Sequence, residues 1–149
     1  MNEMLKQMNE DRVIIVCGPP GAGKSTYAKQ NRQRGDIIID TDYLSAALMC
    51  SESITGNSSE VLSTAVYAWN AIIDAIAENK ITFARAFIIT VTDAWKIQSR
   101  TGGRIVKLDP GINETLRRID EDKTRSAEQN RLRKDQALKY YYTRGGKNV

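Results

Sequence analysis

The residues best suited to chemistry sit in one short stretch. Gly18, Gly23, Lys24 and Ser25 fill every fixed position of G-x-x-x-x-G-K-[ST] within the run VIIVCGPPGAGKST, residues 13–26. Glycines at 18, 21 and 23 have no Cβ, so the turn can take left-handed conformations and bring its amides close to an anion. Successive N–H groups then form a concave nest, and the positive end of the following helix points at the same place. Lys24 adds a point charge for the outer phosphates, and the Ser25 hydroxyl is placed to ligate Mg²⁺. Pro19 and Pro20 stiffen the approach. The implied chemistry is the gripping of a nucleoside triphosphate by Gly18, Pro19, Pro20, Gly21, Ala22, Gly23, Lys24, Ser25 and Thr26.

A second group is acidic. Asp40 and Asp42 follow an apolar run and lie two residues apart. Such a pair can bind metal-bound water and orient a hydroxyl, or one member can cap the next helix. Asp93 follows another apolar run, residues 87–91, where it can hold Mg²⁺ through water or cap a helix starting at Ala94. The chain has no histidine, so any general base is a carboxylate, lysine or tyrosine. Ser-His-Asp and Cys-His hydrolysis are excluded. Cys17 and Cys50 are too few and too isolated for a zinc site and read as reduced thiols.

These groups need a scaffold that brings them together. The β-branched run 13–16 reads as a buried parallel strand, followed by a helix over 24–34 with Gly35 as its C-cap. A strand at 36–39 leads to a helix over 43–49, capped by an aspartate or threonine. Residues 51–58 form a polar loop, a candidate lip over the site. The clearest helix starts with a capping-box spacing from Asn57 to Glu60 and runs to about Asn79. Leu62, Ala65, Val66, Trp69, Ile72, Ile73 and Ile76 share one face of it and read as core. A strand at 84–91, a helix at 94–99 and a strand at 104–108 come next. Asp109-Pro110-Gly111 then breaks the chain before helices over 112–122 and 126–142. In the first of these Leu116 and Ile119 face inward. Strands alternating with helices predict an α/β fold, a parallel sheet with helices on both faces. Ligands then bind at the carboxyl ends of the strands, where Asp40, Asp42 and Asp93 lie.

The bulk numbers agree with one domain. The chain has 149 residues, 41% of them hydrophobic and 27% charged. Residues 1–10, as a loose helix carrying Met4, Leu5 and Met8 or as a frayed end, and residues 144–149 are expected to be loose termini, and the first ten do not read as a signal peptide. No apolar run spans a membrane, so a cytoplasmic protein without a membrane partner is expected. Residues 1–95 carry eight basic and eleven acidic side chains, and residues 96–149 fourteen and seven. The basic half suits phosphate-bearing ligands, or is a solvated helical surface of alternating charge.

The order GPPGAGKS, Asp-Thr-Asp, then Leu-Asp-Pro with an arginine-rich helix resembles the P-loop kinases. It is similar to the kinase domain of phage polynucleotide kinases, and also to zeta-toxin and to shikimate and gluconate kinases. That resemblance covers most of the chain and implies the three-layer P-loop NTPase fold, with a parallel four-stranded sheet in order 2-3-1-4 and with ATP and Mg²⁺ as cofactors. It implies Asp42 as the proton acceptor, with Asp40 nearer the metal, and a lid over 111–126 whose arginines pair with the transferring phosphates. Either Arg117 or Arg118 matches the lid arginine; Arg125, or else Lys123, is its downstream partner. Arg131 and Arg133 read as surface. The acidic run Asp120-Glu121-Asp122 departs from the pattern, as does the lack of a fifth strand.

The function these readings support is transfer of the γ-phosphoryl of ATP. Its acceptor is a hydroxyl or phosphate of a small anionic molecule, a nucleotide or a nucleic-acid 5′-hydroxyl. Two rivals use the same residues: an NTPase switch acting on a partner macromolecule, and a nucleic-acid-binding protein whose P-loop is not catalytic.

Overall fold

The apolar run that leads into the glycine turn is the axis of the molecule. The computed structural model describes residues 2–54 and 58–144. Strand β1 (Val13–Cys17) is buried along its whole length, because it has a parallel neighbour on each side and helices on both faces. Its neighbours are β3 (Ala86–Thr90), in register Val13 to Ala86, and β4 (Arg104–Lys107), in register Ile14 to Arg104. Strand β2 (Ile37–Ile39) pairs with the far side of β3, giving the parallel order β2-β3-β1-β4 that the sequence predicts.

The period-two alternation of β1 divides the core. Val13, Ile15 and Cys17 face one layer with Phe83, Ile88 and Ile97, while Ile14 and Val16 face the other with Ala28 and Phe87. Helix α2 (Lys24–Asn31) closes the second face. Helices α4 (Ser59–Ala77) and α5 (Ala94–Thr101) close the first, through Ile73, Ile76 and Ile97. Helix α3 (Thr41–Leu48) packs against α4. Helices α6 (Ile112–Glu121) and α7 (Ala127–Lys139) pack on each other, and a π-helical turn, Tyr140–Arg144, follows.

Several boundaries differ from the sequence reading for local reasons. Helix α2 stops at Asn31, with Arg32 extended, because the Asp36 carboxylate takes the Gln33 N–H at 2.8 Å and sets a turn; Gly35 sits in that turn at φ +90°. Helix α3 begins two residues early because Asp40 caps it. The α4 cap is Ser58, whose hydroxyl accepts from Val61 N; the capping-box start at Asn57 lies outside the described residues. On α4, Ala65, Ile73 and Ile76 are buried, but Leu62 and Val66 are 42% and 41% exposed, so the core stripe does not reach the helix start.

Residues 1–10 are not a loose terminus over the part described. They belong to α1 (Glu3–Arg12), held by one fully buried polar side chain. Asn9 donates from Nδ2 to the Thr101 carbonyl at 2.7 Å and accepts Arg12 Nε at 2.8 Å. The tail from Gly145 onward lies outside the described residues. No described helix is long and apolar enough to cross a membrane. Asn9→Ala leaves the Thr101 carbonyl buried without its donor. It is expected to lower the unfolding free energy by about 1–3 kcal/mol, read from urea denaturation.

Candidate active site

The turn between β1 and α2 is shaped by two separate demands on glycine. Gly21 and Gly23 take φ of +80° and +90°, where a side chain is strained. Gly18 is needed for space: a Cβ there would stand 2.4 Å from the Leu108 carbonyl oxygen, brought in as Leu108 N donates to Cys17 O at 2.8 Å. The turn therefore curls at the carboxyl ends of β1 and β4. Ile119 of α6, fully buried, packs over Gly21.

Lys24 folds back over this turn. Its ammonium donates to Gly18 O at 2.9 Å and Pro19 O at 2.8 Å, so two turn residues hold the lysine rather than line the cleft. Burial pulls its pKa down to about 8, against the favourable pull of Asp40.

The two aspartates have different surroundings. Asp40 is 5% exposed, and both of its oxygens are used. Oδ1 accepts from Asp42 N at 2.9 Å, and Oδ2 accepts from the Ser25 hydroxyl. Asp42 is half-buried on the first turn of α3 and lines the cleft. Burial and the neighbouring Asp40 push its carboxyl above the ordinary carboxylate value, opposed by Arg125, Arg133 and Lys24. A carboxylate that is destabilised in this way has a stronger tendency to take a proton.

The arginines sort themselves by helix face. Arg118 lines the cleft and donates from Nη1 to Ala22 O at 3.3 Å. Arg117, one residue away, points outward and is tied to Glu114 and Glu121. Arg125 lines the cleft, 3.5 Å from Asp42 and 3.0 Å from Asp122. Arg133, read as surface from the sequence, also lines the cleft and meets Asp122 at 2.8 Å; Arg131 does face outward, toward Glu128. The signal for Arg133 was present: Gln129, Leu132, Arg133 and Gln136 follow i, i+3, i+4, i+7 on α7, and all line the cleft. Lys123 lies outside the cleft. Asp93 is also outside it. Its side chain makes no cap hydrogen bond and pairs instead with Lys96 at 3.7 Å, while Thr90 and Val91 occupy the cleft wall at the end of β3.

The acidic run after α6 has a divided role. Asp120 and Glu121 pair outward with Lys134 and Arg117, whereas Asp122 holds Arg125 and Arg133 together. The Thr124 hydroxyl, followed by the two guanidiniums, keeps the Asp122 carboxyl well below the ordinary range. The resulting cleft has a volume of about 1170 Å³.

The oxygens available for a metal are the Ser25 hydroxyl and the Asp40 carboxylate, already in contact. Among the described residues no group of three His, Cys, Asp or Glu side chains forms a cage. Two hard oxygen donors beside a phosphate nest fit Mg²⁺, which keeps several waters and takes phosphate oxygens.

A family model described as "AAA domain" matches residues 13–139. The chain belongs to this family. No curated protein matches the AAA-domain chain. Among solved structures, it is similar to a chain of the Pnkp1/Rnl/Hen1 RNA repair complex, with TM-score 0.61 and 16% identity, over 90% of this chain and 45% of that one. The chain thus spans less than half the length of that relative. Shikimate kinase from Bacteroides thetaiotaomicron matches with TM-score 0.60 and 19% identity, over 91% of this chain and 80% of the other. Shikimate kinase from Acinetobacter baumannii, in complex with shikimate, matches with TM-score 0.54 and 17% identity, over 93% and 80%. The fold of the AAA-domain chain is that of the P-loop kinases.

Because Asp122 titrates lower when folded than its ordinary 3.8, its stabilising pairing is present above that value and lost as pH falls through the folded value. Asp122→Asn is expected to be less stable than the parent at pH 7, with the deficit shrinking once the pH drops below about 4, as urea midpoints across pH would record.

Proposed function

We propose that this protein is an ATP-dependent phosphotransferase. The observation that carries the reading is Asp42. It is a half-buried carboxylate held above its usual pKa, in the same cleft as the glycine turn and beside Arg125. Such a group is suited to taking the proton of an attacking hydroxyl. The amides of residues 20–24 and the Lys24 ammonium cradle the β- and γ-phosphates, Lys24 exchanging its two carbonyl partners for phosphate oxygens. Ser25 and Asp40 would hold Mg²⁺, whose charge would offset that of the phosphate oxygens. Arg118, Arg125 and Arg133 face the equatorial oxygens of the moving phosphoryl, where planar forks bind well. The acceptor supplies a hydroxyl. A nucleotide-like molecule or a nucleic-acid 5′-hydroxyl end fits the kinase-type fold, and a cytoplasmic location fits a consumer of ATP with two free thiols.

The test is transfer of label from γ-labelled ATP into a panel of nucleosides, nucleotides, hydroxy acids and 5′-hydroxyl oligonucleotides. Asp42→Asn is expected to reduce transfer by about 10²–10⁴-fold while Mg·ATP still binds in calorimetry. Arg118→Ala is expected to reduce it by about 10²-fold. Acceptor-independent hydrolysis that survives Asp42→Asn would overturn the reading in favour of an NTPase switch.

A further inference from the structure

Beyond Asp42 the cleft changes character. Leu62, Val66 and Trp69 lie at i, i+4 and i+7 on α4 and line it together, with Ile54 before the helix and Leu132 from α7. Leu62 and Val66 are open apolar surface, while Trp69 is partly buried with its body packed on the core. Leu62 and Val66 keep more than two-fifths of their surface and Leu132 half, whereas Ala65, Ile73 and Ile76 of α4 are fully buried. Tyr43, next to Asp42, adds an aromatic ring to the same cleft.

The charges limit what can sit there. The cleft is lined by five cations (Lys24, Lys29, Arg118, Arg125 and Arg133) and three carboxylates (Asp40, Asp42 and Asp122). A nucleoside triphosphate with its metal ion brings a net charge of about −2, which the surplus matches. Near Asp42, Arg125 and Arg133 already share Asp122, and Arg125 also reaches Asp42. Lys29, held on the Tyr43 hydroxyl, is the other cation beside Asp42, and it belongs to the surplus that the metal-bound triphosphate takes up, so an anionic acceptor would leave the cleft with net negative charge in a low-dielectric site.

We propose that the acceptor is an uncharged alcohol carrying a flat ring, of the nucleoside kind, whose ring lies on the Leu62–Val66–Trp69 stripe while its hydroxyl meets Asp42. The inference rests on the phosphotransferase reading and narrows its substrate. The acceptor oxygen forms a bond to the γ-phosphorus as the bond from that phosphorus to the β–γ bridging oxygen breaks. The hydroxyl proton passes to Asp42, and a phosphomonoester and a nucleoside diphosphate leave. Leu62 and Val66 act here as specificity-determining residues, touching the ring and not the reacting atoms.

The test combines binding and kinetics. Adenosine, cytidine, guanosine and uridine are titrated into the protein loaded with Mg²⁺ and a non-hydrolysable ATP analogue. Transfer from labelled ATP is then compared among these nucleosides, their 5′-monophosphates and shikimate, a charged ring acid. At least one nucleoside is expected to bind and to be labelled with kcat/KM at least tenfold above any charged acceptor. Leu62→Asp and Val66→Asp are expected to raise the nucleoside KM about tenfold or more, with kcat and the Mg·ATP affinity unchanged. Leu62→Met is expected to keep the parent KM. Labelling that prefers shikimate or the monophosphates overturns the proposal, as does a nucleoside KM indifferent to the aspartate substitutions in folded protein. Mg·ATP uptake with no nucleoside binding overturns it too, and leaves the phosphotransferase reading standing. Absence of Mg·ATP uptake removes both.

Discussion

A single buried carboxylate fixes the geometry of the cleft end of this molecule. Asp40 lies almost fully inside, where an ionised group is costly unless each oxygen has a partner. One oxygen takes the first-turn amide of α3, and the other takes the hydroxyl on the first turn of α2. Two helices that leave different strands are thereby tied start to start. The glycine turn before α2 and Asp42 at the head of α3 inherit that spacing. Each Asp40 oxygen already accepts one hydrogen bond, which suits Asp40 to a structural and metal-holding place rather than to taking a proton. Asp42, two residues on, has its backbone in the cap and its carboxylate facing the cleft beside Arg125.

The opposite wall obeys a similar rule with the signs exchanged. Two guanidiniums placed close together repel, and α7 alone would not hold them in place. Asp122 supplies the missing charge and is itself steadied by Thr124. What looks in the sequence like an ill-suited acidic run is, at this one position, the brace of the basic wall. Asp120 pairs outward with Lys134 of α7, and Glu121 with Arg117 of its own helix.

Much of this was legible before any coordinates. The glycine–lysine–serine pattern fixes its own local structure, since few sequences allow two left-handed residues and a close carbonyl in one short turn. Apolar runs alternating with helical segments marked the parallel α/β class, while the strand order came with the resemblance to the P-loop kinases. Periodicity was less informative where it could not say what lies opposite. Leu62 and Val66 share the stripe of Ile73 and Ile76, yet the early part of α4 meets the cleft and the later part meets the sheet. Arg133 escaped notice because a charged residue on a charged helix looks solvated; only the tertiary placement of α7 turns that face inward. Arg117 and Arg118 could not be told apart because adjacent residues on a helix differ by roughly 100° in direction, and the phase of α6 is set by Ile119 docking on Gly21. Asp93 was drawn toward a metal role by its place after a strand, but a left-handed backbone at φ +60° turns its side chain toward Lys96 instead.

The walls of the cleft draw on residues from Pro20 to Gln136, and the turn after α7 reaches back as Tyr141 hydrogen-bonds Asp109 at 2.8 Å, at the loop that launches α6. During synthesis on the ribosome, the glycine turn emerges about a hundred residues ahead of the arginines of the opposite wall. A nascent chain can therefore shape the turn well before the guanidiniums arrive to complete the cleft.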